Sequence, residues 1–86
     1  MKATSWHFYV LLCSDGSYYA GVTTDIDRRL HEHNNTKRGA KYTRARRPVE
    51  LIISERCQTR SLAQKAEMYF KTLTRREKEV VISENR

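Results

Sequence analysis

Residues 17–34 read SYYAGVTTDIDRRLHEHN, a stretch that joins a strand pattern directly to a helix pattern. Tyr18 to Val22 is rich in aromatic and β-branched residues, which favours a strand. Thr24 has Asp27 three residues after it, the spacing of a capping box, and this predicts a helix that ends near His33. The stretch therefore predicts a strand that leads, after a short turn, into a basic helix.

The flanking segments extend this pattern in both directions. Upstream, Trp6 to Cys13 is apolar on both faces, as expected for a central strand, and Gly16 predicts the turn of a hairpin. Downstream, the sequence predicts a short helix over Arg38 to Tyr42, a strand over Val49 to Ser54, a helix that Ser61 caps with Gln64, and a final helix that Thr74 caps with Glu77. The expected fold is α+β, a small three-stranded antiparallel sheet flanked by helices in the order β-β-α-(α)-β-α-α.

The helix that begins near Ser61 carries apolar residues at helical spacing. They predict its buried face: Leu62, Ala66, Tyr69, Phe70 and Leu73. Glu67 falls at the border of that face. This position suits the rim of a site and equally suits a solvated carboxylate.

Length and composition set bounds on the class of protein. The 86 residues predict one small domain over 1–86, and no apolar run approaches the roughly 20 residues that span a bilayer. Cys13 and Cys57 lack Cys-x-x-Cys spacing, which argues against a zinc finger or a disulfide scaffold. A reducing, cytoplasmic location is therefore expected.

The net charge of +7 is concentrated in one part of the chain. We call residues 37–47 the basic segment; it has no acidic residue and carries Lys37, Arg38, Lys41, Arg44, Arg46 and Arg47. A concentrated positive field attracts a polyanion, and no apolar stripe suits a membrane surface, so nucleic acid is the favoured partner. The alternative is a solvated basic loop. Tyr42 in this segment either stacks on an unpaired base or anchors the loop.

The doubled residues of the first helix are not equivalent. At about 100° per residue, Arg29 and His33 lie together along the edge of the helix's apolar face, whereas Arg28 and His31 point to solvent. An arginine at the border of a core needs an anion to offset its desolvation. That anion is either a carboxylate of the protein, in a purely structural pair, or a bound ligand.

Several signatures recur in order along nearly the whole chain. Phe8-Tyr9 is followed after nine residues by Tyr19-Ala20-Gly21 and then by Arg29-x-x-x-His33; GAKYTRARRPVEL at 39–51 and SLAQKAEMYFKTLTRREK at 61–78 follow. This ordered set resembles the GIY-YIG nuclease superfamily, and within it a branch of small stand-alone bacterial proteins.

The resemblance implies a site and an activity. Tyr9 and Tyr19 match the signature tyrosines, Arg29 matches the arginine that contacts the scissile phosphate, and His33 matches the helix histidine. Glu67 matches the carboxylate that holds one Mg²⁺ or Mn²⁺ ion. The expected activity is metal-dependent hydrolysis of DNA phosphodiester bonds, selective for structure or for single strands, with repair as the expected context. Two roles stay open for His33, to orient a tyrosine or to pass a proton onward.

The hairpin register tests whether the two tyrosines can share a site. A two-residue loop would place Tyr9 and Tyr19 on opposite faces of the sheet. A three-residue loop with a glycine bulge would pair Leu11 with Tyr19 and bring both tyrosines to one face. We predict the bulged loop, with Gly16 and Gly21 as structural turn residues.

Two other functions remain open from the sequence. One is a catalytically inactive nucleic-acid-binding module on the same fold. The other is a regulator that binds a protein through the basic segment. A partner protein is also left open as the source of specificity, because the sequence predicts no additional DNA-binding domain.

Overall fold

The computed structural model describes residues 5–85. Its elements in chain order are β1 (Trp6–Leu12), β2 (Tyr18–Thr23), α1 (Ile26–Asn35), α2 (Lys41–Arg44), β3 (Glu50–Cys57), α3 (Arg60–Thr72) and α4 (Arg75–Glu84). The strands form one antiparallel sheet in the order β2-β1-β3, so β1 is central and β2 is an edge strand. The predicted α+β class and element order are confirmed.

The hairpin between β1 and β2 has the predicted bulged loop. The Cys13 N–H donates to the Ser17 carbonyl at 2.8 Å, and Gly16 between them has φ +84°, which glycine adopts without strain. Leu11 therefore pairs with Tyr19. Gly21 was predicted as a second turn residue, and this is wrong. It lies inside β2, where its role is steric.

Each face of the sheet carries its own core. Phe8 and Val10 of β1 pack with Phe70 of α3 and Ile82 of α4. On the opposite face, Tyr9, Leu11 and Cys13 are buried, and Ile26 and Leu30 of α1 pack against them. This alternation follows from the period of two along a strand. It places Tyr9 on the face that α1 covers.

The helix starts differ from the predictions at two of three places. Asp25, not Thr24, caps α1 by accepting from the Arg28 N–H at 3.0 Å, because the Thr23 hydroxyl accepts from the Asp25 N–H and delays the helix. The N-cap of α3 is Thr59, not Ser61. The capping box of Thr74 and Glu77 on α4 is confirmed.

Two other boundaries shift. The short helix lies at Lys41–Arg44 rather than 38–42, and β3 extends to Cys57. The buried face of α3 also differs from the prediction, because Leu62 is 47% exposed and Tyr69 63% exposed. Phe70 is buried as predicted, Ala66 and Leu73 pack against the core, and Ala63 is buried as well. The half-buried Glu67 lies beside this face.

Candidate active site

Tyr9 occupies a slot that exists because residue 21 has no side chain. Tyr9 pairs with Gly21 across the hairpin, and its ring lies over that glycine. A Cβ at position 21 would lie 2.5 Å from Tyr9 Oη and 2.7 Å from Cζ. A Cβ atom does not fit at those distances. Only glycine at position 21 therefore leaves room for the Tyr9 ring in its present place.

We expect Gly21→Ala to displace the Tyr9 ring and to lower the free energy of unfolding by about 1–3 kcal/mol, the usual cost of overpacking a core. Denaturant unfolding measures this loss. In a Tyr9→Leu background the same Gly21→Ala change should cost clearly less, because the shorter side chain leaves the slot. An equal cost in both backgrounds would contradict the steric explanation.

A chain of buried hydrogen bonds starts at the Tyr9 hydroxyl. Tyr9 Oη lies 2.8 Å from His33 Nε2, and His33 Nδ1 lies 2.8 Å from Thr43 Oγ1. The Thr43 hydroxyl donates to the Ala40 carbonyl at 2.9 Å, so it accepts from His33 Nδ1–H. That assignment leaves Nε2 unprotonated, and the Tyr9 O–H donates to it. His33 and Thr43 are fully buried.

The pKa values of this pair favour the neutral forms at rest. Burial is the largest effect on His33 and, with the nearby charges of Arg29 and Arg47, lowers its pKa to about 4. Burial also raises the pKa of Tyr9 to about 12, although contact with the Arg29 guanidinium opposes the rise. The resting site therefore contains a phenol and a neutral imidazole.

Acid should destabilise the protein through His33. The unfolded chain takes up a proton below about pH 6.5, whereas the folded imidazole stays neutral until about pH 4, so protons favour unfolding in that window. The free energy of unfolding should fall by about 2 kcal/mol between pH 7 and pH 5.

Urea unfolding at a series of pH values measures this effect. His33→Gln should remove the slope between pH 7 and pH 5, whereas His31→Gln, at an exposed position of the same helix, should retain it. A slope that survives in His33→Gln would assign the effect to another group.

Tyr19 extends the site toward the basic segment. The edge of the Tyr19 ring faces the His33 ring, with centroids 5.1 Å apart. On its other side Tyr19 stacks on Tyr42, with centroids 6.1 Å apart and an angle of 24° between the rings. The Arg46 guanidinium lies 3.8 Å above the Tyr42 ring. Tyr42 is therefore both a wall of the site and a partly exposed aromatic surface.

Arg29 lies at the border of the site, as the helix geometry predicts, whereas Arg28 is exposed. Arg29 Nη1 donates to Glu32 Oε1 at 3.0 Å and to the Arg38 carbonyl at 2.8 Å. Both of these hydrogen bonds come from Nη1. The guanidinium also contacts the Tyr9 hydroxyl, and its remaining donors are available to a bound anion. The carboxylate that pairs with Arg29 is Glu32. The same guanidinium thus forms a structural ion pair and keeps other N–H groups for a ligand.

Glu67 acts electrostatically on Tyr9 from α3. Its side chain is 20% exposed and accepts from Lys71 Nζ at 2.6 Å. Its negative charge contributes to the raised pKa of Tyr9, as does Tyr19. Tyr9, Tyr19, Arg29 and His33 thus lie together, and the charge of Glu67 acts on Tyr9 from a separate helix.

The chemistry of Glu67 suits a hard cation that shares its ligands with a substrate. Residues 5–85 contain no group of three or more His, Cys, Asp or Glu side chains that could hold a metal by themselves. Mg²⁺ is commonly bound by one carboxylate together with water and phosphate oxygens. A single half-buried carboxylate fits that mode and does not fit a closed metal cage.

The basic segment divides into free and committed cations. Lys37, Arg38, Lys41 and Arg44 are exposed. Arg46 instead pairs with Asp15 at 2.9 Å.

Arg47 holds the carboxyl end of α1. It donates to the His33 carbonyl at 2.6 Å, to the Glu32 carbonyl at 3.2 Å and to the Thr36 carbonyl. Gly39 supports the same contact, since a Cβ there would lie 2.7 Å from the Glu32 carbonyl oxygen. The predicted role of Arg47 in nucleic-acid binding stays a prediction, but the Arg47 guanidinium already has protein acceptors.

Sequence reasoning missed Thr43, Gly39 and Lys71 as parts of this region. Nothing in the pattern around Thr43 marks it, because its partner His33 lies ten residues earlier and only the fold brings the two together. Lys71 lies four residues after Glu67, and that spacing is a readable signal for an ion pair on a helix.

Across residues 5–85, no helix has the length and apolar character needed to cross a membrane.

Comparison with known proteins gives consistent matches over most of the chain. Residues 5–80 match the family model of the GIY-YIG catalytic domain. UPF0213 protein YazA of Bacillus subtilis is 51% identical over 86 residues, which are 100% of this chain and 86% of that protein. A UPF0213 protein of Enterococcus faecalis is 60% identical over 77 residues, 87% of this chain and 86% of the relative.

Two solution NMR structures have the same fold. UPF0213 protein BH0048 from Bacillus halodurans has a TM-score of 0.61 at 42% identity, covering 92% of this chain and 83% of that one. Protein EF2693 from E. faecalis has a TM-score of 0.61 at 52% identity, covering 92% and 84%.

Proposed function

Because the chain belongs to the GIY-YIG family of catalytic domains, a nuclease family, we propose that it is an endonuclease that hydrolyses phosphodiester bonds in DNA. The observation that carries the proposal is the cluster around Tyr9, in which a tyrosine donates to a neutral buried histidine beside an arginine. This arrangement supplies both a route for a proton and a positive charge for a phosphate.

The proposed reaction begins with phosphate binding. The free donors of Arg29 bind the oxygens of the scissile phosphate in a charge-assisted, fork-like contact. The anion also neutralises the field that Arg29 exerts on His33, and this raises the pKa of the imidazole toward its ordinary value. Substrate binding thus makes His33 a better proton acceptor.

The proton then moves along the Tyr9–His33 hydrogen bond. A water oxygen attacks phosphorus, its proton passes to Tyr9 Oη, and the proton of Tyr9 passes to His33 Nε2. The bond from phosphorus to the leaving oxygen breaks, and that oxygen takes a proton from solvent. Thr43 accepts from Nδ1–H throughout and keeps the imidazole in the useful tautomer.

Glu67 would hold one Mg²⁺ or Mn²⁺ ion, which supplies charge neutralisation at the phosphate and leaving oxygens when bound. The Lys71 ammonium now balances the carboxylate, so the metal must compete with an internal ion pair. With one protein carboxylate in the set, we infer that the metal binds together with the DNA phosphate and weakly without it.

The substrate we propose is unpaired or branched DNA rather than a specific duplex sequence. Four exposed cations of the basic segment can follow a phosphate backbone, and such contacts carry no sequence information. The partly exposed Tyr42 ring favours an unstacked base. A reducing cytoplasm suits the free thiols of Cys13 and Cys57, and a role in repair fits such substrates.

The test is a cleavage assay on single-stranded, nicked, branched and duplex DNA with Mg²⁺ or Mn²⁺, and with EDTA as the blank. We expect Glu67→Gln to lower cleavage by about 100–1,000-fold. Glu79→Gln is the matched control, because Glu79 also pairs with a cation four residues away but lies on the exposed side of α4. Equal activity in both variants would remove Glu67 from the site.

The alternative of an inactive nucleic-acid-binding module predicts a different result. Salt-sensitive binding to single-stranded DNA without cleavage under any metal condition would support it.

A further inference from the structure

A pocket lies at the outer edge of β2, directly beside the candidate active site. Its walls include Tyr18, Tyr42 and Phe70, and Lys71 and Lys78 stand at its rim. Tyr19, whose ring faces His33, also lines it. The pocket therefore shares a wall with the site and has no part in the chemistry described above.

The size and lining of the pocket suit one flat ring system. Its volume is about 230 Å³, below the roughly 300–1,000 Å³ of pockets that hold drug-sized ligands. Phe70 at its base is buried, and Tyr42 at its mouth is 38% exposed. Aromatic walls of this kind stabilise a planar heterocycle by stacking and by edge contacts.

The free edge of β2 adds hydrogen-bonding groups to the pocket. Cys13 and Ser17 form a hydrogen-bonded pair, so the pairing alternates along the hairpin from that point. Tyr18 and Ala20 then turn their N–H and C=O groups away from β1. These outward donors and acceptors lie where the polar edge of a nucleobase would meet the strand.

The charges around the pocket suit phosphates on both sides of that ring. Lys78 Nζ lies 5.5 Å from the centre of the Phe70 ring, and the Arg75 guanidinium lies 4.2 Å from the Tyr18 ring. On the side of the active site, Lys71 is bound to Glu67. A chain that places a ring in the pocket therefore runs past Lys71 toward Glu67.

We propose that this pocket binds one unpaired nucleobase of a single DNA strand, next to the phosphate that the active site holds. The inference rests on the proposed function for its choice of ligand, and it names the group that makes the site favour unpaired DNA. A paired base cannot enter, because its polar edge and both of its faces are already occupied in the duplex. Binding must first unstack it.

A binding assay in EDTA tests the pocket without any cleavage. The probes are a DNA backbone of abasic spacers with one central 2-aminopurine and the same backbone without any base, which carry equal charge. Wild-type protein should bind the first at least about fivefold more tightly and quench its fluorescence. Lys78→Trp, which fills the pocket, should bind both probes equally.

Arg76→Trp is the matched control, because it removes one cation from an exposed position of the same helix outside the pocket. It should keep the preference for the base. If Lys78→Trp does not fold, Lys71→Trp fills the pocket from α3 and Lys65→Trp is its control.

Equal binding of the two probes by wild-type protein would overturn the inference, as would a preference that survives in the filled variants. If the protein cleaves DNA but binds the two probes equally, the nucleobase pocket is wrong and the nuclease proposal stands. If the protein prefers the probe with the base but does not cleave DNA, the pocket stands and the nuclease proposal is wrong.

Discussion

Replacing Arg29 by alanine should lower the rate of DNA cleavage by about a thousandfold. The guanidinium contacts the Tyr9 hydroxyl, and it lowers the pKa of both Tyr9 and His33. Without it, the negative charge that develops on the phosphoryl oxygens loses a positive side chain beside the neutral phenol and the neutral imidazole. Single-turnover cleavage of an unpaired DNA substrate measures the loss.

Arg28→Ala provides the matched control for charge. It removes the same guanidinium one position earlier on α1, where the side chain points to solvent. Binding to single-stranded DNA at moderate salt should weaken slightly and equally in both variants, whereas cleavage should collapse only in Arg29→Ala. Arg29→Lys should recover part of the rate, since it restores the charge and not the fork. Comparable cleavage in the two alanine variants would contradict the assignment of Arg29.

Tyr9→Phe should reduce cleavage by about a hundredfold to ten-thousandfold, the range for losing a general acid or base. The variant keeps the ring over Gly21 but removes the oxygen that links water to His33. It also leaves the buried Nε2 of His33 without a donor, so the free energy of unfolding should fall by about 1–3 kcal/mol. Cleavage rates and urea unfolding are measured on the same preparation.

Tyr69→Phe is the control, because Tyr69 is 63% exposed and lies outside the cluster. Loss of stability in Tyr9→Phe with normal cleavage would mean that the hydroxyl is structural only. Normal stability with lost cleavage would place a water molecule at the vacated oxygen. Only a combined loss matches the hydrogen-bond chain.

The fold could be predicted because its determinants are local. Strand periodicity, the glycine of the hairpin loop and the Thr74 capping box each act within a few residues, and each is readable in one sequence. The cap of α1 was misassigned because the Thr23 hydroxyl competes for the same backbone groups. Thr24 and Asp25 both suit a cap, and only the turn decides between them.

The candidate site could be predicted only in part. Positions set by local helix geometry were predictable, and positions set by contacts between residues far apart in sequence were not. Helix geometry alone separates Arg29 from Arg28 and His33 from His31, because the apolar face of α1 is unambiguous. It places Glu67 at a border, where the side chain is half-buried, but leaves its role undecided. The buried face of α3 itself is misjudged in part, since Leu62 and Tyr69 are apolar and yet exposed. Thr43 and Arg47 act on residues ten and fourteen positions away, through a loop whose path the pattern does not specify.

The four-residue helix α2 performs two tasks on opposite sides. Lys41 and Arg44 project outward, and Thr43 between them is buried against the imidazole. Unwinding this single turn would therefore displace two exposed cations of the proposed DNA-binding surface and misalign the imidazole in one event. The proposed DNA binding and the proposed cleavage should therefore disappear together when heat or limited proteolysis opens this turn.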